Sequence, residues 1–447
     1  MIWDFTVSLG ILALLGGVIV FAKRFSARLT PEGSRKTIHV TMGCAALSLP
    51  FIIEYRLTVV LLGLVAIGFL LFLRIHKGLR QGLGTALLGV DRKSLGDVYF
   101  VVAIVIVFLL HQSAFEYIIP IAILTFADST AALVGTNYGR HNMAGHDQEA
   151  TKSREGSTMF FIVAFICALV PLQLMTEIGR AEVLLISALI GIVAVGIEVV
   201  SRHGNDNILL PLLTYSILRY NIYQSLQTML INFGIMLLLS LVVLVVYKMT
   251  NITRLSMAYS LLVGYVVMVI GDFMWVIPIL TLFLTFGVLP MMKAEEKKMI
   301  QSYKVIECNT IVGVICLYIS VFLPLYRDVL YISFSLSFAV HLAINTYSRL
   351  LNFEKMGIAA SAAFGMAKAV VFIALPAAAI TTMAPAVFWI FIAFLALSMP
   401  FAVHLNKKYD YKNVGDITFN ANKIMVGILT AVFTVVMITG GFVYAVS

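Results

Sequence analysis

Long apolar runs alternate with short polar segments along the whole chain, and the runs are continuous instead of alternating residue by residue. Continuous apolar runs are typical of membrane helices, whereas the strands of a barrel alternate apolar and polar positions. We therefore predict an all-α, polytopic integral membrane protein with about 16 transmembrane helices. The predicted spans are 4–22, 39–54, 57–73, 97–111, 116–136, 158–175, 183–200, 207–220, 227–247, 255–271, 273–290, 305–326, 329–348, 358–380, 385–404 and 423–445.

Composition supports this class, because 61% of the 447 residues are hydrophobic and only 12% are charged. A soluble protein would have too little polar sequence to cover its core. The run 4–22 has neither a basic segment before it nor a small-residue cleavage site after it, so we expect a retained span and not a signal peptide. The four cysteines lie in apolar runs without a CxxC pair, which favours small buried residues over disulfides or a zinc site.

The distribution of Lys and Arg predicts the orientation. Loops 23–38, 74–96, 137–157 and 291–304 are basic, while the alternate loops are short and nearly uncharged. Basic loops stay in the cytoplasm, so the N-terminus is predicted outside. The short run 207–220 is counted as a span because loop 291–304, which is basic, would otherwise lie outside. The net charge of +9 is then a matter of orientation, and no nucleic-acid partner is predicted.

The polar segment 249–254 divides the chain into predicted domains 1–250 and 251–447. The first domain has long, charged loops. The second has longer apolar runs and fewer loop carboxylates. The oligomeric state is not predicted.

Five polar clusters of the first domain are predicted on the cytoplasmic side. The stretch 126–157 carries two of them, and Asp128 and Glu198 interrupt apolar runs, where an ionisable group suggests function. The candidate residues are Arg35, Lys36 and His39; Arg92 and Asp97; Asp128, Gly135 and Gly139; Lys152, Ser153, Glu155, Gly156 and Ser157; and Glu198, Asp206 and Asn207.

These residue types are the ones that a metal–nucleotide site uses. Carboxylates hold Mg²⁺, Lys and Arg neutralise phosphate oxygens, and glycines and hydroxyls allow close approach to phosphates. Phosphoryl transfer needs positioning and charge neutralisation above all. Walker, kinase-loop and Rossmann motifs are absent from the sequence, so the site would be of another type.

Several candidates also have structural interpretations. Arg35 and Lys36 fit ordinary positive-inside residues, and His39 fits an interfacial histidine. Asp97 fits a helix cap, and Asp206 with Asn207 fits a turn and cap before Pro211. Gly135 and Gly139 fit packing positions between helices.

The segments ADSTAALVGTNYG (127–139), TKSREGSTMFF (151–161) and IEVVSRHGNDNILLPLL (197–213) resemble the CTP-dependent polyprenol kinase family, which includes dolichol kinase and phytol kinase. RKTIHVTMG (35–43) and RKSLGDVYF (92–100) are similar to further motifs of the phytol-kinase branch. The resemblance covers about residues 25–220.

The resemblance implies transfer of the CTP γ-phosphate to the hydroxyl of a membrane isoprenoid alcohol at the cytoplasmic face. The carried-over site consists of Asp128, Lys152, Glu155, Gly156, Glu198, Asp206 and Asn207. Asp128, Asp206 and Glu198 would hold Mg²⁺, or one aspartate would accept the alcohol proton. Lys152, Arg35 and Arg92 would neutralise phosphates.

The second half has a weaker similarity, over 251–313, to the membrane family that contains phytyl-phosphate kinase. Asn345 stands where that family has a motif carboxylate, and its glycine-rich motif is absent. We therefore expect a non-catalytic second domain, structural or lipid-binding.

Two other functions stay open. A phosphatidate cytidylyltransferase would also use CTP at a membrane face, but its long basic-acidic-glycine signature is absent from the sequence. A transporter would use intramembrane charges at the midplane, whereas these carboxylates lie towards one face.

Overall fold

The described residues form helices joined by short turns. The structure is a computed structural model, and it describes residues 3–4, 6–7, 10, 13, 16–17, 31–76, 95–141, 152–201, 204–249, 253–288, 303–408 and 416–440. None of these residues lies in a β-strand. Ten of the described helices are long and apolar enough to cross a membrane, and three shorter apolar helices accompany them. The predicted all-α, multi-pass membrane protein is confirmed, while the count of sixteen spans and the outside N-terminus stay predictions.

The chain divides into two compact units, Met1–Ile231 and Asn232–Ser447. The division falls inside a helix, earlier than the predicted boundary between 250 and 251. The described helices of the first unit are α1 (Pro31–Leu47), α2 (Leu49–Ile52), α3 (Arg56–Ile75), α4 (Gly96–Leu110), α5 (Ala114–Ala122), α6 (Asp128–Tyr138), α7 (Arg154–Met175), α8 (Arg180–Val200), α9 (Asp206–Asn221) and the start of α10 (Leu226–Met249).

One span organises the first unit. Helices α5 and α6 continue through a π-helical turn, Ile123–Ala127, to make the single span Ala114–Tyr138. Helices α1, α7 and α9 all pack against this span. Helix α3 lies at the periphery, and its exposed Leu57, Leu61 and Leu64 form the apolar outer face that a membrane protein presents to lipid.

A helix that is buried along almost its whole length organises the second unit. This is α14 (Arg327–Asn352), which packs against neighbours before and after it in the chain. The other described helices are α11 (Arg254–Gly271), α12 (Phe273–Val288), α13 (Tyr303–Phe322), a 3₁₀ turn Pro324–Tyr326, α15 (Ile358–Ala369), a π-helical turn Val370–Ala374, α16 (Leu375–Ile380), α17 (Pro385–Lys408) and α18 (Asp416–Thr439).

Several helices extend beyond the predicted apolar windows. Helix α1 starts at Pro31 and not at 39, so Arg35 and Lys36 lie on a helix and not in a loop. Helix α7 starts at Arg154 and not at 158, which puts Glu155 to Ser157 in its first turn. Hydropathy finds apolar segments, whereas a helix continues through polar residues wherever its backbone stays hydrogen-bonded.

The predicted orientation is testable at the two ends of the span Ala114–Tyr138. In a variant without the natural cysteines, Ser113→Cys is expected to react with a membrane-impermeant maleimide added outside intact cells. Tyr138→Cys, which replaces a side chain 71% exposed, is expected to react only after the membrane is opened. Both variants should react fully in detergent, and the reverse pattern in cells would contradict the orientation.

Candidate functional site

Asp128 is held by two side chains of α1. Lys36 Nζ lies 2.5 Å from Asp128 Oδ2 and 3.2 Å from the Asp128 carbonyl oxygen. His39 Nε2 lies 3.7 Å from the same carboxylate oxygen and 3.0 Å from the Leu124 carbonyl oxygen. Lys36 and His39 are three residues apart and so share one face of the helix. The Lys36 side chain is 5% exposed and that of Asp128 is 19% exposed, so this is a largely buried ion pair within the span Ala114–Tyr138.

Close packing holds α1 against the π-helical turn before Asp128. Gly43 lies directly against Thr125, and a Cβ at Gly43 would overlap the threonine side chain. The Thr125 hydroxyl donates to the Ile121 carbonyl, so its position is fixed within the span. This contact, one turn beyond His39, sets the distance between the two helices that carry the ion pair. Single π turns inside α-helices are frequent at functional sites.

Glu198 forms a second buried pair. It lies in the last turn of α8, its side chain is 8% exposed, and its Oε1 accepts a short hydrogen bond from Lys152 Nζ. The Ser157 hydroxyl lies 3.4 Å from the other carboxylate oxygen. Lys152 precedes α7 and Ser157 lies in its first turn, so the start of α7 meets the end of α8 at this carboxylate.

Ser153 and the glycines build a tight junction between α6 and α7. Ser153 caps α7, because its Oγ accepts the Gly156 N–H at 3.1 Å. A Cβ at Gly156 would lie 3.0 Å from the Ala131 carbonyl oxygen, and one at Gly139 would lie 2.8 Å from Ser153 Oγ. Gly135 faces the same serine. These contacts fit the packing interpretation of the glycines, and they keep Lys152 beside Asp128.

Three carboxylates and two lysines share one electrostatic environment. The charge of Asp128 interacts with those of Lys152, Glu198 and Asp206, and Asp206 interacts with both Lys36 and Lys152. The five groups lie at five separate places in the chain, on α1, on α6, before α7, on α8 and on α9. Each lysine therefore pairs with one carboxylate and interacts electrostatically with Asp206 as well.

Asn207 fixes the start of α9 next to this cluster. Its side-chain amide donates to the Gly96 carbonyl at 2.7 Å, and its own N–H donates to Asp206 Oδ1 at 3.1 Å. Asn207 is 8% exposed. The amide thus ties α9 to the first residue of α4 and leaves Asp206 at the helix start, where a carboxylate also interacts favourably with the helix dipole.

Two candidate carboxylates have partners outside the cluster. Asp97 pairs with Arg74, in the last turn of α3, and the residue at the cap position is Leu95. Asp97 is therefore an ion-pair partner within the bundle and not the predicted helix cap. Glu155 Oε1 lies 2.8 Å from His141 Nδ1, and Glu155 Oε2 accepts a hydrogen bond from the Arg140 N–H at 3.2 Å. These contacts connect residues 140–141 to the first turn of α7.

The remaining basic candidates are placed differently. Arg35 lies on α1 close enough for its charge to act on His39. Arg92 lies outside the described residues. Sequence reasoning missed Arg74, which was grouped with the loop cations, and Thr125, which looked like an ordinary apolar-run residue. No signal in the sequence identifies either contact, because both depend on how the helices pack.

A ready-made metal cage is absent from the described part of the chain, where no three His, Cys, Asp or Glu residues group closely enough to hold an ion by themselves. The predicted metal ligands Asp128 and Glu198 are each bound to a lysine instead. Carboxylates of this kind suit Mg²⁺ that arrives with phosphate ligands, because Mg²⁺ is commonly held by one or two carboxylates plus substrate phosphates.

An apolar groove lies beside His39. The Phe100 ring lies against the His39 ring, with 4.6 Å between centroids, and Phe100 also lines the groove. The groove runs between α1, α3 and α4. Its other walls include Met42, Ala46, Gly63, Ala66 and Ile104.

Comparisons of this chain with models of protein families, with curated proteins and with solved structures found no match.

The close contact at Gly43 leads to a stability prediction. Gly43→Ala forces a methyl group into Thr125, and overpacking of this kind costs about 1–3 kcal/mol. Gly68→Ala, on α3, places the same methyl group where no atom lies within 4 Å. Thermal unfolding in detergent should show a lower Tm for Gly43→Ala and an unchanged or higher Tm for Gly68→Ala. Equal Tm values for the two variants would contradict the packing account.

Proposed function

We propose that the first unit is a lipid-alcohol kinase that transfers the γ-phosphate of CTP to the hydroxyl of an isoprenoid alcohol, such as phytol, geranylgeraniol or a dolichol-type polyprenol. The observation that carries the proposal is a cluster of interacting charges, whose member Asp128 contacts His39, beside an apolar groove whose wall residue Phe100 packs on the His39 ring. Such a site joins a polyanion-binding cluster to a lipid-binding surface. The motif resemblance supplies the choice of CTP as donor.

The lysines are suited to receive the triphosphate. Both ammonium groups are bound to carboxylates in the present structure, at Asp128 and at Glu198. Charge-assisted hydrogen bonds from an ammonium group to phosphate oxygens are comparable in strength to those from an ammonium group to a carboxylate. Nucleotide binding therefore exchanges one set of anionic partners for another. The exchange releases carboxylate oxygens in the same step.

The donor set fits Mg²⁺ once those oxygens are released. Asp206 and Glu198 would hold the ion together with phosphate oxygens, and Mg²⁺ would neutralise charge that develops on the phosphates. Hard oxygen ligands are the ones this ion prefers.

The transfer itself needs one proton acceptor. Asp128 lies nearest the groove, next to His39 and Phe100, and we assign it the acceptor role. The alcohol proton moves to Asp128 Oδ2 as the alcohol oxygen forms a bond to the γ-phosphorus, the bond from that phosphorus to the β-bridging oxygen breaks, and CDP leaves. The predicted orientation puts this end of the bundle at the cytoplasmic face, where a lipid hydroxyl and a soluble nucleotide can meet.

Removing either carboxylate should abolish transfer. With purified protein, γ-labelled CTP and a panel of prenols, we expect Asp128→Asn and Glu198→Gln to lower the rate by about 10²–10⁴-fold. The matched control is Glu182→Gln, because Glu182 lies in the first turn of the helix whose last turn carries Glu198. Size-exclusion profiles check that each variant is folded.

Three results would overturn the proposal. They are label transfer to none of the prenols by the wild type, full activity of Asp128→Asn, and release of pyrophosphate in place of CDP. The last result would indicate a cytidylyltransferase.

The groove should control the choice of alcohol. Ala66→Phe adds a ring inside the groove, so we expect the KM for a twenty-carbon prenol to rise about tenfold while the kcat changes little. Val65→Phe adds the same ring on the lipid-facing side of α3, where Val65 is 55% exposed, and should leave KM unchanged. Equal KM values for the two variants would show that the alcohol binds elsewhere.

A further inference from the structure

A line of polar side chains follows one face of α14, the helix at the centre of the second unit. Ser337, His341 and Asn345 are spaced four residues apart, so they share one face of this helix. A Cβ at Gly313 of α13 would lie 3.1 Å from Ser337 Oγ, and the Asn345 side-chain amide lies 3.5 Å from Asn309 Oδ1, also on α13. The face that carries His341 is therefore turned towards α13.

Helices α13 and α18 run in the same direction beside α14. Lys423 Nζ of α18 lies 2.7 Å from Glu307 Oε1 of α13, and one turn later a Cβ at Gly427 would lie 3.9 Å from Val312. A short turn joins α13 to α14, so α14 runs opposite to both. The Lys423 and Glu307 side chains are 23% and 33% exposed, so this ion pair marks a partly exposed end of the three-helix contact.

Helix α18 contributes two threonines to the same contact. Thr434 Oγ1 donates to Ser333 Oγ at 2.8 Å. Ser333 precedes Ser337 by one turn of α14, and Thr430 precedes Thr434 by one turn of α18. Because the two helices are antiparallel, Thr430 lies at the level of Ser337, one turn from His341. We call this set of residues the polar seam, and its members are Asn309, Ser333, Ser337, His341, Asn345, Thr430 and Thr434.

Two atoms of the polar seam have no hydrogen-bond partner among the described residues. They are His341 Nε2 and Thr430 Oγ1, and both residues are only 2% exposed. Buried polar atoms are nearly always paired, and an internal water is the usual partner where no protein group is in reach. The two atoms thus indicate that the polar seam is a place for water inside the helix bundle.

His341 lies near the middle of the membrane-spanning helix. At 1.5 Å per residue it is about 21 Å from the start of α14 at Arg327 and about 17 Å from the end at Asn352. The polar seam extends from Asn345 to Ser333, which is about 18 Å along the helix and more than half of a hydrocarbon core of about 30 Å. Histidines at this depth typically mark proton relays, because imidazole changes its charge near neutral pH.

The nearest buried cation lies on another side of α14. Lys368 of α15 donates to the Thr285 carbonyl of α12 at 2.8 Å. Gly365, one turn before Lys368, packs on Ala343, which is two residues from His341 and so on the opposite side of the helix. The other described titratable side chains on helices packed against α14 are Lys304, Glu307, Cys308, Cys316 and Tyr318 on α13, Lys423 on α18 and His404 on α17. Within the polar seam, His341 is the titratable member.

We propose that the second unit conducts protons along the polar seam, with His341 as the relay. The neutral imidazole accepts a proton from a water at one ring nitrogen and gives up a proton from the other nitrogen to a water on the far side. Ring and waters then reorient, and the proton gradient supplies the driving force. Hydroxyl groups both donate and accept, so the serines and threonines continue the hydrogen-bonded chain.

The composition of the polar seam favours a proton over a metal cation. Its members are hydroxyls, amides and one imidazole, whereas hard cations are held chiefly by several oxygen ligands that include carboxylates. The polar seam lies wholly within the second unit, so the proposal does not depend on the kinase activity. It gives a transport role to the half of the chain that sequence analysis expected to be non-catalytic.

The test is proton flux through the full-length protein in liposomes, without CTP. Pyranine inside the liposomes reports the internal pH after acid is added outside, and valinomycin with equal K⁺ on both sides prevents a membrane potential from building up. We expect the wild type to dissipate the pH difference at least about tenfold faster than liposomes without protein. This comparison requires no variant.

Variants assign the flux to the polar seam. His341→Gln keeps hydrogen-bonding groups but cannot bind a proton, so the protein-dependent rate should fall about tenfold or more. Thr430→Val removes one hydroxyl at nearly constant volume and should lower the rate about threefold. Thr346→Val is the matched control on α14, because Thr346 is also 2% exposed and lies nine residues from Ser337, on the opposite side of the helix. It should conduct as the wild type does.

Size-exclusion profiles check that each variant is folded. If His341→Gln does not fold, the difference between Thr430→Val and Thr346→Val carries the test. Three results would overturn the proposal: a wild-type rate equal to that of liposomes without protein, unchanged flux in His341→Gln, and equal rates for the two threonine variants. Because Asp128→Asn is expected to keep the proton flux, loss of kinase activity and loss of this path are distinguishable.

Discussion

Ion pairs inside an apolar bundle are the constraint on which the first unit depends. Charges at membrane depth are costly, and a buried pair offsets that cost only when its geometry is good. The pairs of Lys36 with Asp128 and of Lys152 with Glu198 meet this condition, because each ammonium group donates a hydrogen bond directly to its carboxylate. In the proposed function the same constraint provides the binding mechanism, because the triphosphate takes the place of the carboxylates as partner of each lysine.

Small residues at helix contacts allow these pairs to form. Gly43 brings α1 onto the π-helical turn before Asp128, and Gly156 brings α7 onto α6. Ser153 supports the second contact as a helix cap. In the sequence these glycines resemble phosphate-binding residues. In the structure they allow the helices to pack closely, and longer side chains would increase the distance between the helices that carry the charged cluster.

Part of the site was predictable because membrane sequences have little polar content. Asp128 and Glu198 interrupt apolar runs, and positive-inside counting alone put them at one face with Lys152. Lys36 was not separable from ordinary orientation charges, because its pairing depends on α1 starting eight residues before the apolar window. The groove depends on how three helices pack, and the partner of Asp97 depends on where α3 ends, so neither follows from hydropathy.

The central claim is that Lys36 and Lys152 bind one triphosphate next to Asp128. An experimental structure of the full chain with Mg²⁺ and a CTP analogue that resists γ-phosphate transfer tests this most directly. The account predicts phosphate oxygens within hydrogen-bonding distance of both ammonium groups, with the γ-phosphate facing the groove that Phe100 lines. A nucleotide bound elsewhere, with both lysines still on their carboxylates, would contradict it.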